Sequence, residues 1–164
     1  MYQFAPDAGV AKADLYRDLC SAAAALIAGE RDTVANMANV AALIWQFVPD
    51  LNWAGFYRVQ DQEVGQELVL GPFIGKPACI RIAFGQGVCG AAAASGTVQL
   101  VADVHAFPGH IACDADSRSE LVVPVRRDGR VIAVIDLDSP SAARFDAEDA
   151  AGIEALAVLV AAAI

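Results

Sequence analysis

No uninterrupted apolar stretch in these 164 residues exceeds ten. The longest is ALAVLVAAAI at the C-terminus, half of the roughly twenty residues a helix needs to span a bilayer. Positive charge is also scarce: eleven Lys and Arg stand against twenty Asp and Glu, a net charge of −9. Such a balance repels phosphate backbones and anionic lipid, which argues against nucleic acid and membrane as partners. The N-terminal MYQFAPDAGVAKADLYRDL has no basic segment followed by an apolar one, so no secretion signal is expected and a cytoplasmic location is. Cysteines there start as thiols. The chain has no C-x-x-C pair; His105, His110 and Cys113 lack the close paired spacing of structural zinc ligands, and no metal is expected. Repeats, low-complexity tracts and linkers are absent too.

What is present is material for one compact domain over 1–164, since 57% of the residues are hydrophobic and the length suits a single core. Leu15, Leu19, Ala22, Ala23 and Leu26 repeat at helical spacing, as do Val34, Met37, Val40, Ala41, Ile44 and Phe47. Two helices are predicted, over 11–29 and 33–48, the second capped by Thr33. Cys20 falls on the first as a small packing residue. After Pro49 the pattern turns to β-branched and aromatic runs, NWAGFYRV, ELVLGPFI and ACIRIAF, with a solvated hairpin connection at 60–66. GVCGAAAAS reads as a short helix ending at Gly96, and TVQLVADV as a strand. ELVVPVRRDGRVIAVIDLDS reads as a hairpin turned at Asp128–Gly129. Asp146 opens a final helix with acids in its first turn. The expectation is an α+β fold on one central, mostly antiparallel sheet.

Three cysteines, Cys79, Cys89 and Cys113, lie mid-chain, the last in HAFPGHIACDADS and followed by Glu120. Loop 105–118 is long and turn-rich, the kind that carries function in compact domains. Asp136 and Asp138, two apart at the end of VIAVIDLDS, point to one face of a strand. Thiols with converging carboxylates suggest redox chemistry on a small, polar, cationic substrate. GQGVCG formally matches a dinucleotide fingerprint, but the helix behind it is short and no acid follows at the required distance. A tight glycine turn bringing Cys89 towards the sheet is the better account. Trp53 and Tyr57, on one face of a strand, are core residues by default.

Taken together, NWAGFY, LVLGPFIGKPAC, GVCG, DVHAFPGHIACDADSRSE and IDLDS resemble the free methionine-R-sulfoxide reductases, enzymes on the GAF fold. The resemblance covers nearly the whole chain. It implies a central antiparallel sheet with N- and C-terminal helices on one face and a loop-closed pocket on the other. Carried over by residue, Cys113 matches the attacking cysteine, Cys79 the resolving one and Cys89 a third able to enter disulfide exchange. Glu120, Asp136 and Asp138 match pocket carboxylates, and Trp53 and Tyr57 an aromatic wall. Gln86 stands where the family more often has a basic residue. The implied reaction is reduction of free L-methionine-(R)-sulfoxide through a sulfenic acid and an intramolecular disulfide. No cofactor is implied beyond an external dithiol such as thioredoxin, and a homodimer is weakly favoured. The rival readings are a non-catalytic GAF module that senses a small ligand, and a thiol peroxidase.

Overall fold

The computed structural model describes residues 9–62, 65–111 and 114–164. Helices α1 (Lys12–Ile27) and α2 (Thr33–Phe47) precede strands β1 (Trp53–Gln62), β2 (Gly65–Gly75) and β3 (Arg81–Ala83). Helix α3 (Gly87–Ser95), β4 (Gln99–Val101), a 3-10 turn (Val104–Ala106), β5 (Ser119–Arg127), β6 (Arg130–Ser139) and α4 (Ala147–Val160) follow. Among the described residues the strands form one six-stranded sheet, ordered β3-β2-β1-β6-β5-β4, with antiparallel pairing throughout. The α+β expectation holds, and the terminal helices share one face of the sheet.

Period-two alternation divides the strand residues between two cores. Phe56, Leu121, Val123, Ile135 and Leu137 pack with Leu19, Ile44, Ile153 and Leu156 of the terminal helices. Their neighbours Tyr57, Val122 and Val134 pack on the opposite face with Val88, Cys89 and Ala92 of α3. The β5–β6 turn has Asp128 at φ 51° and Gly129 at φ 77°, the two positive values a tight hairpin of this hand requires.

Several local details differ from the sequence expectation. The cap of α2 is Asp32, whose side chain accepts from Ala35 N; a carboxylate one residue earlier takes the role expected of Thr33. Val34 is 52% exposed, so the packed face of α2 begins later, at Asn36 and Met37. Strands β3 and β4 shrink to three residues each, because each is a sheet edge paired along one side only. The chain leaves β4 for a 3-10 turn in which the Asp103 side chain accepts from His105 N. The 60–66 connection is shorter than expected, with Gln62 pairing Gly65; residues 63 and 64 lie outside the described set.

Asp149 on α4 joins the terminal helices. Fully buried, it accepts from Tyr16 Oη at 2.7 Å, Lys12 Nζ at 2.6 Å and Arg144 Nη1 at 3.2 Å, and closes a capping box with Asp146. Burial and the bond to Asp149 push the Tyr16 phenol well up, so it stays a donor. One turn on, Gly152 lies under the Tyr16 ring, where an added Cβ would sit 2.1 Å from Cγ. Gly152→Ala should therefore cost about 1–3 kcal/mol through overpacking, read as a lower urea midpoint with unchanged slope. An unchanged midpoint would show that the two helices separate freely.

Candidate active site

Pairing register gathers the acids. Glu120 of β5 lies directly across from Asp138 of β6, and Asp138 directly across from Trp53 of β1. One row over, Asp136 faces Val122 and Gly55. Alternation turns Glu120, Asp136 and Asp138 to the α3 face, where they line one cavity with Trp53, Tyr57 and Cys89. Trp53 stacks at 5.9 Å on Tyr57 and at 5.2 Å on Phe73. Its Nε1 donates to Lys76 O, and Tyr57 Oη donates to Cys79 O. The aromatic wall and the carboxylates expected from sequence thus meet at one place.

Like charges directly opposite on one face of a sheet repel, and here they are also removed from water. Glu120 is 6% exposed and Asp136 5%. Burial, reinforced by Asp136 and Asp138, pushes Glu120 well above the ordinary carboxylate range. Burial and Asp136 do the same to Asp138, against a hydrogen bond from Ser117. Asp136, also desolvated but hydrogen-bonded to Cys89 and Glu120, is pushed up to about 7. The trio therefore retains protons at neutral pH. Asp136 Oδ1 is buried with no hydrogen-bond partner among the described residues, so the cavity floor carries an unfilled acceptor.

The glycine turn before α3 sets Cys89. Gly85 and Gly87 adopt positive φ of 82° and 60°, and Gly85 N donates to Gly90 O at 2.8 Å. A Cβ on Gly90 would lie 2.4 Å from Ala83 O, so only glycine lets α3 approach β3 this closely. The Cys89 thiol comes to 4.0 Å from Glu120 Oε1. A helix N-terminus ordinarily lowers a thiol pKa, but burial and then Asp136 and Glu120 raise this one well above its usual value. Cys89 is a protonated thiol at neutral pH. Cys79 is half-buried and packs beside the same apolar cluster without lining the cavity. Cys113 lies outside the described residues, but Ile111 and Asp114 on either side of 112–113 both line the cavity.

The loop expected over 105–118 is tied to the cavity mouth by residues that sequence reading did not select. Lys76 Nζ bonds Asp114 Oδ1 at 3.0 Å and Asp116 Oδ2 at 2.5 Å. Asn52 Nδ2 donates to Asp114 Oδ2 and Ser117 Oγ. Backbone N–H of Asp116, then Lys76, hold the Asp114 carboxyl below the usual range. Lys76 had one available signal, as the basic residue within the GKPAC segment; Asn52 and Ser117 are 65 positions apart and had none. His110 also lines the cavity, and its Nδ1 is buried without a hydrogen-bond partner among the described residues. Burial and His105 lower its pKa. Gln86 lines the cavity at the N-cap of α3 with no side-chain capping bond.

A profile of the GAF domain matches residues 33–164. The free methionine-R-sulfoxide reductase of Escherichia coli is 48% identical over 145 residues, covering 88% of this chain and 86% of that protein. The free methionine-R-sulfoxide reductase of Saccharomyces cerevisiae is 46% identical over 137 residues, 80% of this chain and 76% of that one. Among solved structures, free methionine-R-sulfoxide reductase from Neisseria meningitidis in complex with its substrate superposes with a TM-score of 0.90 at 44% identity. That match covers 98% of this chain and 95% of the other. Sheet order, carboxylate row and these similarities agree: the chain belongs to the GAF-domain family of free methionine-R-sulfoxide reductases.

Proposed function

We propose that this protein, acting as one GAF domain over 1–164, reduces free L-methionine-(R)-sulfoxide to methionine with Cys113 as nucleophile. The observation that carries the reading is the convergence of three carboxyls, Glu120 and Asp136 buried and Asp138 half-buried, with two aromatic rings on one cavity, at the register the sheet imposes. Such a cavity suits a small zwitterion with an apolar end. The α-ammonium is held by whichever carboxyl is ionised, Asp136 Oδ1 being the acceptor left unfilled among the described residues. Trp53 and Tyr57 face the methyl group. A peptide-bound residue has no ammonium to offer, which is why the free amino acid is preferred.

The sulfoxide oxygen leaves sulfur only as it gains a proton. Cys113 attacks the sulfoxide sulfur, a neighbouring carboxyl, Glu120 or Asp138, protonates the oxygen, and that oxygen ends on Cys113 as a sulfenic acid while methionine departs. The Cys79 thiol, or that of Cys89, condenses with the sulfenic acid, releasing water and forming a disulfide. An external dithiol such as thioredoxin then reduces the disulfide. A protonated Cys89 fits an exchange partner better than the attacking thiolate.

Incubation with methionine-R-sulfoxide and dithiothreitol should release methionine. Cys113→Ser should abolish turnover, whereas Cys79→Ser should release about one equivalent per chain and then stop recycling with thioredoxin. Sustained turnover by Cys113→Ser would overturn the assignment. Binding without methionine formation in the parent protein would make it a ligand sensor instead.

The carboxylates also make a stability prediction. Between 3.8 and about 7 folded Asp136 keeps a proton that the unfolded chain has lost, so stability falls as pH rises through that window. Asp136→Asn, which has no proton to lose, should raise Tm near neutral pH by about 3 °C or more, since ~1 kcal/mol is worth ~2–4 °C at this size. The gain should shrink towards about pH 4, while activity is lost. Calorimetry showing the same change at both pH values would contradict the buried-acid account.

A further inference from the structure

Ordinary recognition of an ammonium group asks only for oxygen acceptors, yet the deepest part of this cavity also presents a sulfur. One ligand atom from each of Cys89, Glu120 and Asp136 lies within 4.8 Å of the other two, and all three residues are buried. Cys89 Sγ and Glu120 Oε1 are 4.0 Å apart. A tetrahedral zinc ion, with Zn–S near 2.3 Å and Zn–O near 2.1 Å, sets sulfur and oxygen ligands about 3.6 Å apart. For Cys89 and Glu120 the difference is about 0.4 Å, and for a pair at the 4.8 Å limit it is about 1.2–1.4 Å, which rotation of the two side chains shares between them. Asp136, 5% exposed, also has an oxygen with no hydrogen-bond partner among the described residues. That oxygen is a second sign, beside the cluster itself, of an acceptor available to a cation.

We propose that Cys89, Glu120 and Asp136 form a site for a thiophilic divalent cation, zinc fitting best, which excludes the substrate's ammonium group and so inhibits the enzyme. The three residues come from α3, β5 and β6, which is why no ligand pair is visible in the sequence. Mixed sulfur and oxygen donors select zinc or cobalt over magnesium and calcium, which take oxygen alone. Three protein ligands leave a fourth position for water. On binding, the thiol and any protonated carboxyl release their protons to solvent and the cation takes their place. This removes the repulsion among the acids that burial otherwise relieves by protonation. Zinc here ties up the third cysteine and occupies the acceptor assigned to the α-ammonium. The competition rests on the substrate reading given above; the metal site does not.

The test is titration of the reduced protein with cobalt(II), in a phosphine reductant that leaves the metal free. A near-ultraviolet sulfur-to-cobalt charge-transfer band should appear with one equivalent bound. Cys89→Ser should remove the band and weaken zinc, measured against a chromogenic chelator, by at least about tenfold, the least that losing even an outer-shell partner costs. Cys79→Ser should keep both. Methionine-R-sulfoxide added to the cobalt-loaded Cys113→Ser protein, which binds it without reducing it, should bleach the band in proportion to its occupancy. No band in the parent protein, or a band that survives in folded Cys89→Ser, overturns the site. A Cys89-dependent band that saturating sulfoxide leaves untouched upholds the metal site but overturns the competition, and with it the placement of substrate in this cavity.

Discussion

Placing three carboxyls side by side on one face of a sheet, two of them buried, is the constraint around which the rest of this molecule is arranged. Glu120 and Asp138 are direct cross-strand neighbours and Asp136 lies one row away. In solution such a set would ionise, repel and seek water. In the fold they cannot separate, because each belongs to a strand whose other face is sealed by the terminal helices. The acids answer by holding protons, and in this state one group can donate while another accepts. Active sites commonly store such unfavourable electrostatics, maintained by the stability of the surrounding framework.

That framework is correspondingly conventional. Alternating side chains fill two cores, and the fully buried Asp149 fastens α1 to α4 through Tyr16, Lys12 and Arg144. Unlike the cavity carboxyls, Asp149 is surrounded by donors, and this difference separates a structural buried acid from a functional one. Asp136 retains an oxygen that nothing in the described protein fills. An unmet acceptor in a cavity walled by aromatic rings defines the kind of ligand that belongs there: small, cationic at one end and apolar at the other.

The sulfur atoms occupy distinct settings. Cys20 packs in a helix interface as expected, Cys79 lies half-buried outside the cavity lining, and Cys89 sits among the acids at the start of α3. Burial and negative charge keep Cys89 protonated, which suits it less to direct attack than to exchange or to a soft cation. The loop that follows the 3-10 turn is moored on its 114–117 side by an ion pair from Lys76 and hydrogen bonds from Asn52, while Phe107 packs on the core before it.

By itself the sequence determined the local elements. The 3.6-residue stripes placed α1 and α2, Asp128–Gly129 placed the β5–β6 hairpin, Asp146 placed the start of α4, and Gly96 placed the end of α3, because each of these depends on backbone preferences within a few residues. It also put Asp136 and Asp138 on one face, since strand alternation is a local property. Caps and strand ends were less legible, as Asp32 and the short β3 and β4 show, because edge pairing and competing caps are settled by neighbours. Only the tertiary structure decided that Glu120 faces Asp138, that Cys89 approaches Glu120, and that Lys76 and Asn52 hold the loop. Those contacts join residues 18 to 65 positions apart, and the protonation of the acids follows from burial and distance, two quantities that do not exist until the chain has folded.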